Sequence, residues 1–141
     1  KLNYIKMSNS ISKIEGIGPV NKEKLSAAGI VTVENLLEKG AGKSGRKEIA
    51  AASGIDEKVI LNWVNMADLF RIKGIASQFA ELLKAAGVDT VKELRTRNAE
   101  NLHQALIATN EAKNLTNAVP ALSKVTDFIE QAKNLDPVVT H

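Results

Sequence analysis

Gly16-Ile17-Gly18-Pro19, followed one turn on by Lys22 and Lys24, is the part of this 141-residue chain best equipped to hold an anion. Glycine reaches positive φ without steric cost, so Gly16 and Gly18 let the backbone turn tightly and approach another molecule closely. Pro19 suits the first turn of a helix, where its missing N–H would have no partner in any case. The amides that open such a helix lack an intrahelical acceptor and carry the positive end of the helix dipole, a geometry that holds phosphate. Lys22 and Lys24 would add counter-charge. Contacts of this kind grip a backbone phosphate, read no base and weaken with salt. Glu15 opposes them, because a carboxylate beside the turn repels phosphate unless it points away or pairs with a lysine. A Gly-x-Gly turn is also the simplest way to pack two helices closely, so a purely structural role stands beside the anion site.

The segment recurs 58 positions on. Ile14-Glu15-Gly16-Ile17-Gly18-Pro19, Leu25 and Ala27-Ala28-Gly29-Ile30-Val31-Thr32-Val33 align with Ile72-Lys73-Gly74-Ile75-Ala76-Ser77, Leu83 and Ala85-Ala86-Gly87-Val88-Asp89-Thr90-Val91. After a shift that fits an insertion in the second copy, Ile60, Trp63, Val64 and Ala67 align with Val125, Phe128, Ile129 and Ala132, 65 positions on. Both sets have the i, i+3, i+4, i+7 spacing of one apolar helical face. Two similar units are therefore expected, each opening with a hairpin and closing with an amphipathic helix. In the second, Ala76 stands where the first has Gly18. If that position needs positive φ, alanine costs on the order of 1 kcal/mol there. Ser77 is placed to cap the exposed amides itself, and Arg71 and Lys73 supply charge. The candidate contacts are thus Gly16, Ile17, Gly18, Lys22 and Lys24 in the first copy and Arg71, Lys73 and Gly74 in the second. Lys43, Arg46 and Lys47 join them from a glycine-rich stretch, Gly40 to Gly45, that reads as a flexible basic loop. The same lysines and arginines, with those at Lys39, Lys92, Arg95 and Arg97, also read simply as solvated helix faces.

Other chemistries fail on spacing. Gly42-Lys43-Ser44 matches the end of a nucleotide-binding loop, but Leu37 occupies the position of its first glycine and a helix, not a strand, precedes it. The only histidines are His103 and the terminal His141, and cysteine is absent, so no triad, histidine metal cluster or disulfide framework can be assembled. Asp56 and Glu57 read as helix-start residues. No enzymatic activity, cofactor or small-molecule substrate is expected. Trp63 and Phe128 have the flat faces on which bases stack, but their equivalent places on the apolar faces of the closing helices point to core packing.

The elements that position these residues are helical. The sequence predicts helices over 19–28, about 46–52, and near 77–86, 90–97, 99–108 and 123–134, with Gly29 and Gly54 as stops and Pro120 breaking the chain before the last. Thr32 and Thr90 are placed to N-cap, Thr90 with Glu93 as a capping box, and Asp56 to cap the helix carrying Trp63. No stretch sustains period-two alternation, and aromatic residues make up 4% of the chain. The fold class is all-α.

Composition sets the outer bounds. With 44% hydrophobic residues the chain holds one compact domain or two small ones, and halves of this size are marginal alone, so they are expected to pack together as one pseudo-repeat. The 19 basic and 16 acidic residues leave a formal charge of +3. The excess is spread evenly over the two halves, less lopsided than a dedicated nucleic-acid coat. No run is apolar enough to cross a membrane, no signal-peptide core is visible, and cysteine-free composition suits a reducing cytoplasm. Lys1 to Lys6 precede Met7-Ser8-Asn9-Ser10, which has the look of a natural start, so residues 1–7 are read as an extension without function. Units at 8–69 and 70–135 and a tail at 136–141 follow.

With hairpin, caps and helix order in place, the chain resembles the helix-hairpin-helix superfamily, in which an h-x-G-h-G turn (h apolar) joins two short helices, a SAM-like arrangement. The wider pattern of Ile14 to Pro19, Leu25, Ala28-Gly29-Ile30, Thr32-Val33, Leu36-Leu37, Glu48-Ile49-Ala50 and Gly54-Ile55 is similar to the N-terminal helical domains of recombinases. With Trp63-Val64-Asn65-Met66-Ala67-Asp68-Leu69 and the closing Pro137-Val138-Val139-Thr140, the whole from Met7 to His141 resembles an uncharacterised bacterial family filed as a domain of unknown function. The superfamily resemblance implies hairpin amides that hold a DNA backbone phosphate. Two partners stay open: nucleic acid, with DNA first, or a protein assembly on which the chain docks as an interaction module.

Overall fold

The computed structural model describes residues 9–141, so the readings of Lys1 to Lys6 and of Met7 as a natural start lie outside the described residues. Among the described residues the chain is all-helical, with a 3-10 turn at Ile11–Lys13, eight α-helices and no strand. Helices α1 (Pro19–Ala27), α2 (Val33–Gly40), α3 (Lys43–Ser53) and α4 (Glu57–Leu69) are followed by α5 (Ser77–Ala85), α6 (Val91–Leu94), α7 (Ala99–Lys113) and α8 (Leu122–Lys133).

Local sequence chemistry sets most of the boundaries. α1 starts on Pro19 and stops where Gly29 turns at φ +85°, with Ile30 N–H closing back on Leu25 O at 2.9 Å. α5 stops the same way, at Gly87 (φ +96°), with Val88 N–H on Leu83 O at 2.8 Å. In both, the left-handed residue lets the chain double back and fill carbonyls that the helix end would leave open. Thr32 Oγ1 accepts from Asn35 N at 2.9 Å, Thr90 Oγ1 from Glu93 N at 3.2 Å, and Asp56 Oδ1 from Lys58 N at 2.7 Å. The capping box at Thr90 is half made: Glu93 turns its carboxylate to Arg97 Nε, 3.1 Å away, and Asp68 Oδ2 takes the Val91 amide at 2.8 Å instead.

The chain divides into two compact units. Unit 1 comprises the described residues through Ala67 together with Val138–His141, and unit 2 is Asp68–Pro137. In unit 1 the 3-10 turn packs on α1 and α2, and both α1 and α2 pack on α3. Ile11, Ile14, Leu25, Ile30, Leu36 and Ile60 are fully buried. In unit 2, α5 packs on α7, and α6 and α7 pack on α8, with Leu83, Val88, Leu94, Leu106, Val125 and Phe128 buried.

Two elements differ from expectation for local reasons. α3 begins at Lys43 rather than near 46, so the stretch expected as a flexible basic loop is reduced to Ala41 and Gly42. Its glycines serve close packing: a Cβ on Gly45 would lie 1.9 Å from the Lys39 carbonyl oxygen, and one on Gly40 would lie 2.6 Å from Val64 Cγ2. α7 runs to Lys113 rather than 108, ending where Asn114 adopts φ 52° and Asn110 Oδ1 accepts from the amides of Leu115 (2.8 Å) and Thr116 (3.0 Å).

Candidate functional site

The two glycine turns have one backbone design. Gly16 sits at φ +94° and Gly74 at φ +98°, each two residues before the N-cap of its helix. The N-caps themselves, Gly18 (φ −87°, ψ −176°) and Ala76 (φ −114°, ψ −170°), are extended. Only the first glycine of the pair therefore uses conformations closed to other residues. The strain foreseen for Ala76 does not arise, and Gly18 is not required for backbone reasons. Ser77 is the first helical residue, and α5 has no side-chain cap, so its expected capping role is not filled.

Neither α1 nor α5 has a side-chain acceptor at its start. By contrast α2, α4, α6 and α7 are capped by Thr32, Asp56, Thr90 and Asn98. α3 and α8 also start uncapped, at Gly42 and Ala121, but without the preceding positive-φ glycine. First-turn amides left this way point outward with the positive end of the dipole. Beside the second turn, Gly74, Ala76, Ser77, Gln78 and Phe79 line an open cavity of about 240 Å³.

Each turn rests on an aromatic ring from the closing helix of its own unit. A Cβ on Gly16 would lie 3.6 Å from Trp63 Nε1, and one on Gly74 would lie 3.0 Å from Phe128 Cε1. Trp63 is 6% exposed and Phe128 2%, so both rings support the turns from inside and neither offers a face to a base. Phe79 stacks obliquely on Phe128, ring centres 6.3 Å apart. The second turn is also held by Gln131, whose Oε1 accepts from Lys73 N at 2.9 Å and whose Nε2 donates to Lys73 O at 3.0 Å.

The basic residues separate into two groups. Lys22, Lys24, Lys43, Lys47 and Lys73 are exposed, and none belongs to an ion pair among the described residues. Lys22 lies within the second turn of α1, with its amide on Gly18 O at 2.9 Å. Glu15 is exposed and likewise outside those pairs.

The two arginines singled out from the sequence are taken up by the fold. Arg46 is 4% exposed and donates to Gly40 O (2.8 Å), Ala41 O (2.9 Å) and Thr140 O (2.6 Å). Arg71 pairs with Asp68 Oδ1 at 2.8 Å and donates to Asp136 O at 2.8 Å. Ile17 is buried, so its side chain belongs to the core and only its backbone borders the turn. Lys39 and Arg97 have equivalent tasks: each brings its charged end within about 3 Å of where a Cβ would stand on Gly29 or Gly87, at the negative end of α1 or α5. Arg97 Nη2 also donates to Gly87 O at 3.3 Å.

Sequence reading overlooked Asp68 and Gln131. Asp68 is 1% exposed and uses one oxygen on Arg71 and the other on the Val91 amide. The i, i+3 spacing of Asp68 and Arg71 was the available signal. Gln131 had none, since its role depends on where α8 meets the second turn.

Among the described residues no group of His, Asp or Glu side chains is arranged to hold a metal ion, and no helix is long and apolar enough to cross a membrane. A family model described as "Domain of unknown function (DUF4332)" matches residues 15–135, and the chain belongs to that family. No curated protein and no solved structure matches it.

Proposed function

We propose that this member of the family is a non-enzymatic tandem helix-hairpin-helix protein of the cytoplasm that binds nucleic acid, DNA in the first instance, through backbone phosphates and without sequence preference. One observation carries the reading: α1 and α5 both open behind a positive-φ glycine with no side chain on their first-turn amides, while four other helices are capped. An uncapped N-terminus at an exposed turn offers donors and a positive partial charge to an oxyanion. In unit 1, Lys22 and Lys24 stand exposed on the same helix, and Lys43 and Lys47 on α3. In unit 2, Lys73 borders Gly74, with its backbone fixed by Gln131.

Arg46, Arg71 and the Ile17 side chain are not part of the contact set, because the fold uses them. Glu15 remains a local repulsion and limits affinity at the first turn. Val20, 67% exposed in the first turn of α1, favours a second reading in which the same end of unit 1 docks on a protein.

The test is a titration of labelled single-stranded, duplex and branched DNA, and duplex RNA, from low to physiological salt, beside a Lys22→Glu/Lys24→Glu variant. The reading expects binding that falls with salt on a slope of several units, since each neutralised phosphate contributes about 0.9. The double charge reversal should weaken it further. Binding no tighter than about 100 μM at low salt, or a variant that binds like the parent, removes phosphate recognition at the first turn and leaves the Val20 surface as the place to seek a protein partner.

A further inference from the structure

The contact made by the last residues of unit 1 has no part in the reading above. Arg46 lies buried on α3, and none of the ion pairs among the described residues includes it. Its charge is answered by carbonyl oxygens alone. Nη1 donates to Gly40 O and Ala41 O at the C-terminal end of α2, where the helix dipole is negative. Nη2 donates to Thr140 O, which lies 94 positions along the chain. A guanidinium this deep is stable only with its donors occupied, so the third acceptor matters.

The segment supplying that acceptor is bound as an extended peptide is bound by a groove. Thr140 N–H donates to Ala41 O at 2.9 Å while Thr140 O accepts from Arg46. Val139 is 6% exposed, and its neighbours Val138 and Thr140 face outward. Main-chain pairing on one residue with burial of the side chain before it is the pattern by which strands and strand-like ligands are recognised. Pro137 and the residues before it belong to unit 2, so the docked piece is short.

We propose that the surface formed by Ala41 and Arg46 in unit 1 is a docking groove for an extended peptide, filled here by the chain's own Val138–Thr140 and open in trans to the same three residues of a second copy. The groove asks for a small β-branched side chain at the place of Val139, then a residue that gives its N–H to Ala41 and its carbonyl to Arg46. A second copy presents those groups in identical order. The tether to unit 2 raises the local concentration of the chain's own segment and favours it at low protein concentration, whereas exchange between two copies reuses every contact.

The experiment uses a labelled peptide with the sequence of residues 134–141 and a chain ending at Pro137, whose folding is verified by circular dichroism. The shortened chain is expected to bind the peptide saturably, the intact chain not to bind it, and a peptide carrying Val139→Asp to bind at least about tenfold more weakly. If the shortened chain does not fold, an intact chain with Thr140→Pro, which removes the donor to Ala41, takes its place with the same expectation. Absence of binding at millimolar peptide, equal binding by the intact chain, or indifference to Val139→Asp each overturns the groove. Sedimentation of the shortened chain mixed with an intact Arg46→Gln chain should show a heterodimer. Peptide binding without one would overturn the second copy as occupant and assign the groove to another protein's extended segment.

Discussion

A single methyl group separates the roles of the two glycines in the first turn. Gly16 lies at φ +94° with Trp63 Nε1 behind it, so Gly16→Ala should destabilise by about 1 to 2 kcal/mol, from the left-handed conformation alone. Gly74→Ala should cost more, because its Cβ would also press on Phe128 Cε1 at 3.0 Å. Gly18 is extended, and a Cβ there meets nothing within 4 Å, so Gly18→Ala should leave stability unchanged or raise it by up to about 1 kcal/mol. Urea unfolding of the three variants checks the order; a Gly18→Ala loss as large as that of Gly16→Ala would refute it. The difference was half legible. Two glycines of one turn look alike in sequence, and only Ala76 in the second copy hinted that the later position tolerates a side chain. Trp63 was legible from its apolar spacing, and its 6% exposure makes Trp63→Ala a core deletion that should cost about 3 to 5 kcal/mol by thermal or urea melting.

The α2–α3 junction shows where reading the sequence stops at the level of elements. Thr32, Pro19, Gly29 and Gly54 announce their boundaries because capping and stopping are local chemistry, carried by a few neighbouring atoms. Gly40-Ala41-Gly42-Lys43-Ser44-Gly45 has loop composition, yet three of its residues open α3 and Gly40 closes α2. Packing overrides propensity there: Gly45 lets α3 pass against the Lys39 carbonyl, which would stand 1.9 Å from a Cβ. A solvent-exposed helical glycine gains up to about 1 kcal/mol on change to alanine. Gly45→Ala should instead lose about 1 to 3 kcal/mol through overpacking, a sign that denaturant midpoints read directly. The same dependence on distant partners hid the fate of Arg46 and Arg71. Both look like surface charge in sequence, and carbonyls at Thr140 and Asp136, far along the chain, take up one amino group of each. Lys22, Lys24, Lys43, Lys47 and Lys73 kept the exposure that their sequence implied, because no such acceptor meets them among the described residues.

At the scale of the molecule, the chain begins unit 1, completes unit 2 and then returns to unit 1 with Val138–His141. The alignment of the two copies explains most of this organisation, since equivalent turns, stops and aromatic supports recur in each unit, but it is silent about the return, which has no counterpart in the second copy. Removing residues 138–141 strips unit 1 of the buried Val139 side chain and of two main-chain bonds, those joining Thr140 to Ala41 and Arg46. Burial of a valine and the loss of two hydrogen bonds, one of them to a charged group, sum to about 3 to 5 kcal/mol of local stability. The loss should be confined to unit 1, because these residues make no listed bond to unit 2 in the way that Asp136, held by Arg71, belongs to unit 2 alone. Hydrogen exchange followed by mass spectrometry should therefore show faster exchange over α2 and α3 in the shortened chain, with α7 and α8 protected as before. Uniform loss of protection through both units would mean instead that they unfold as one cooperative body, with the returning segment contributing to the stability of the whole.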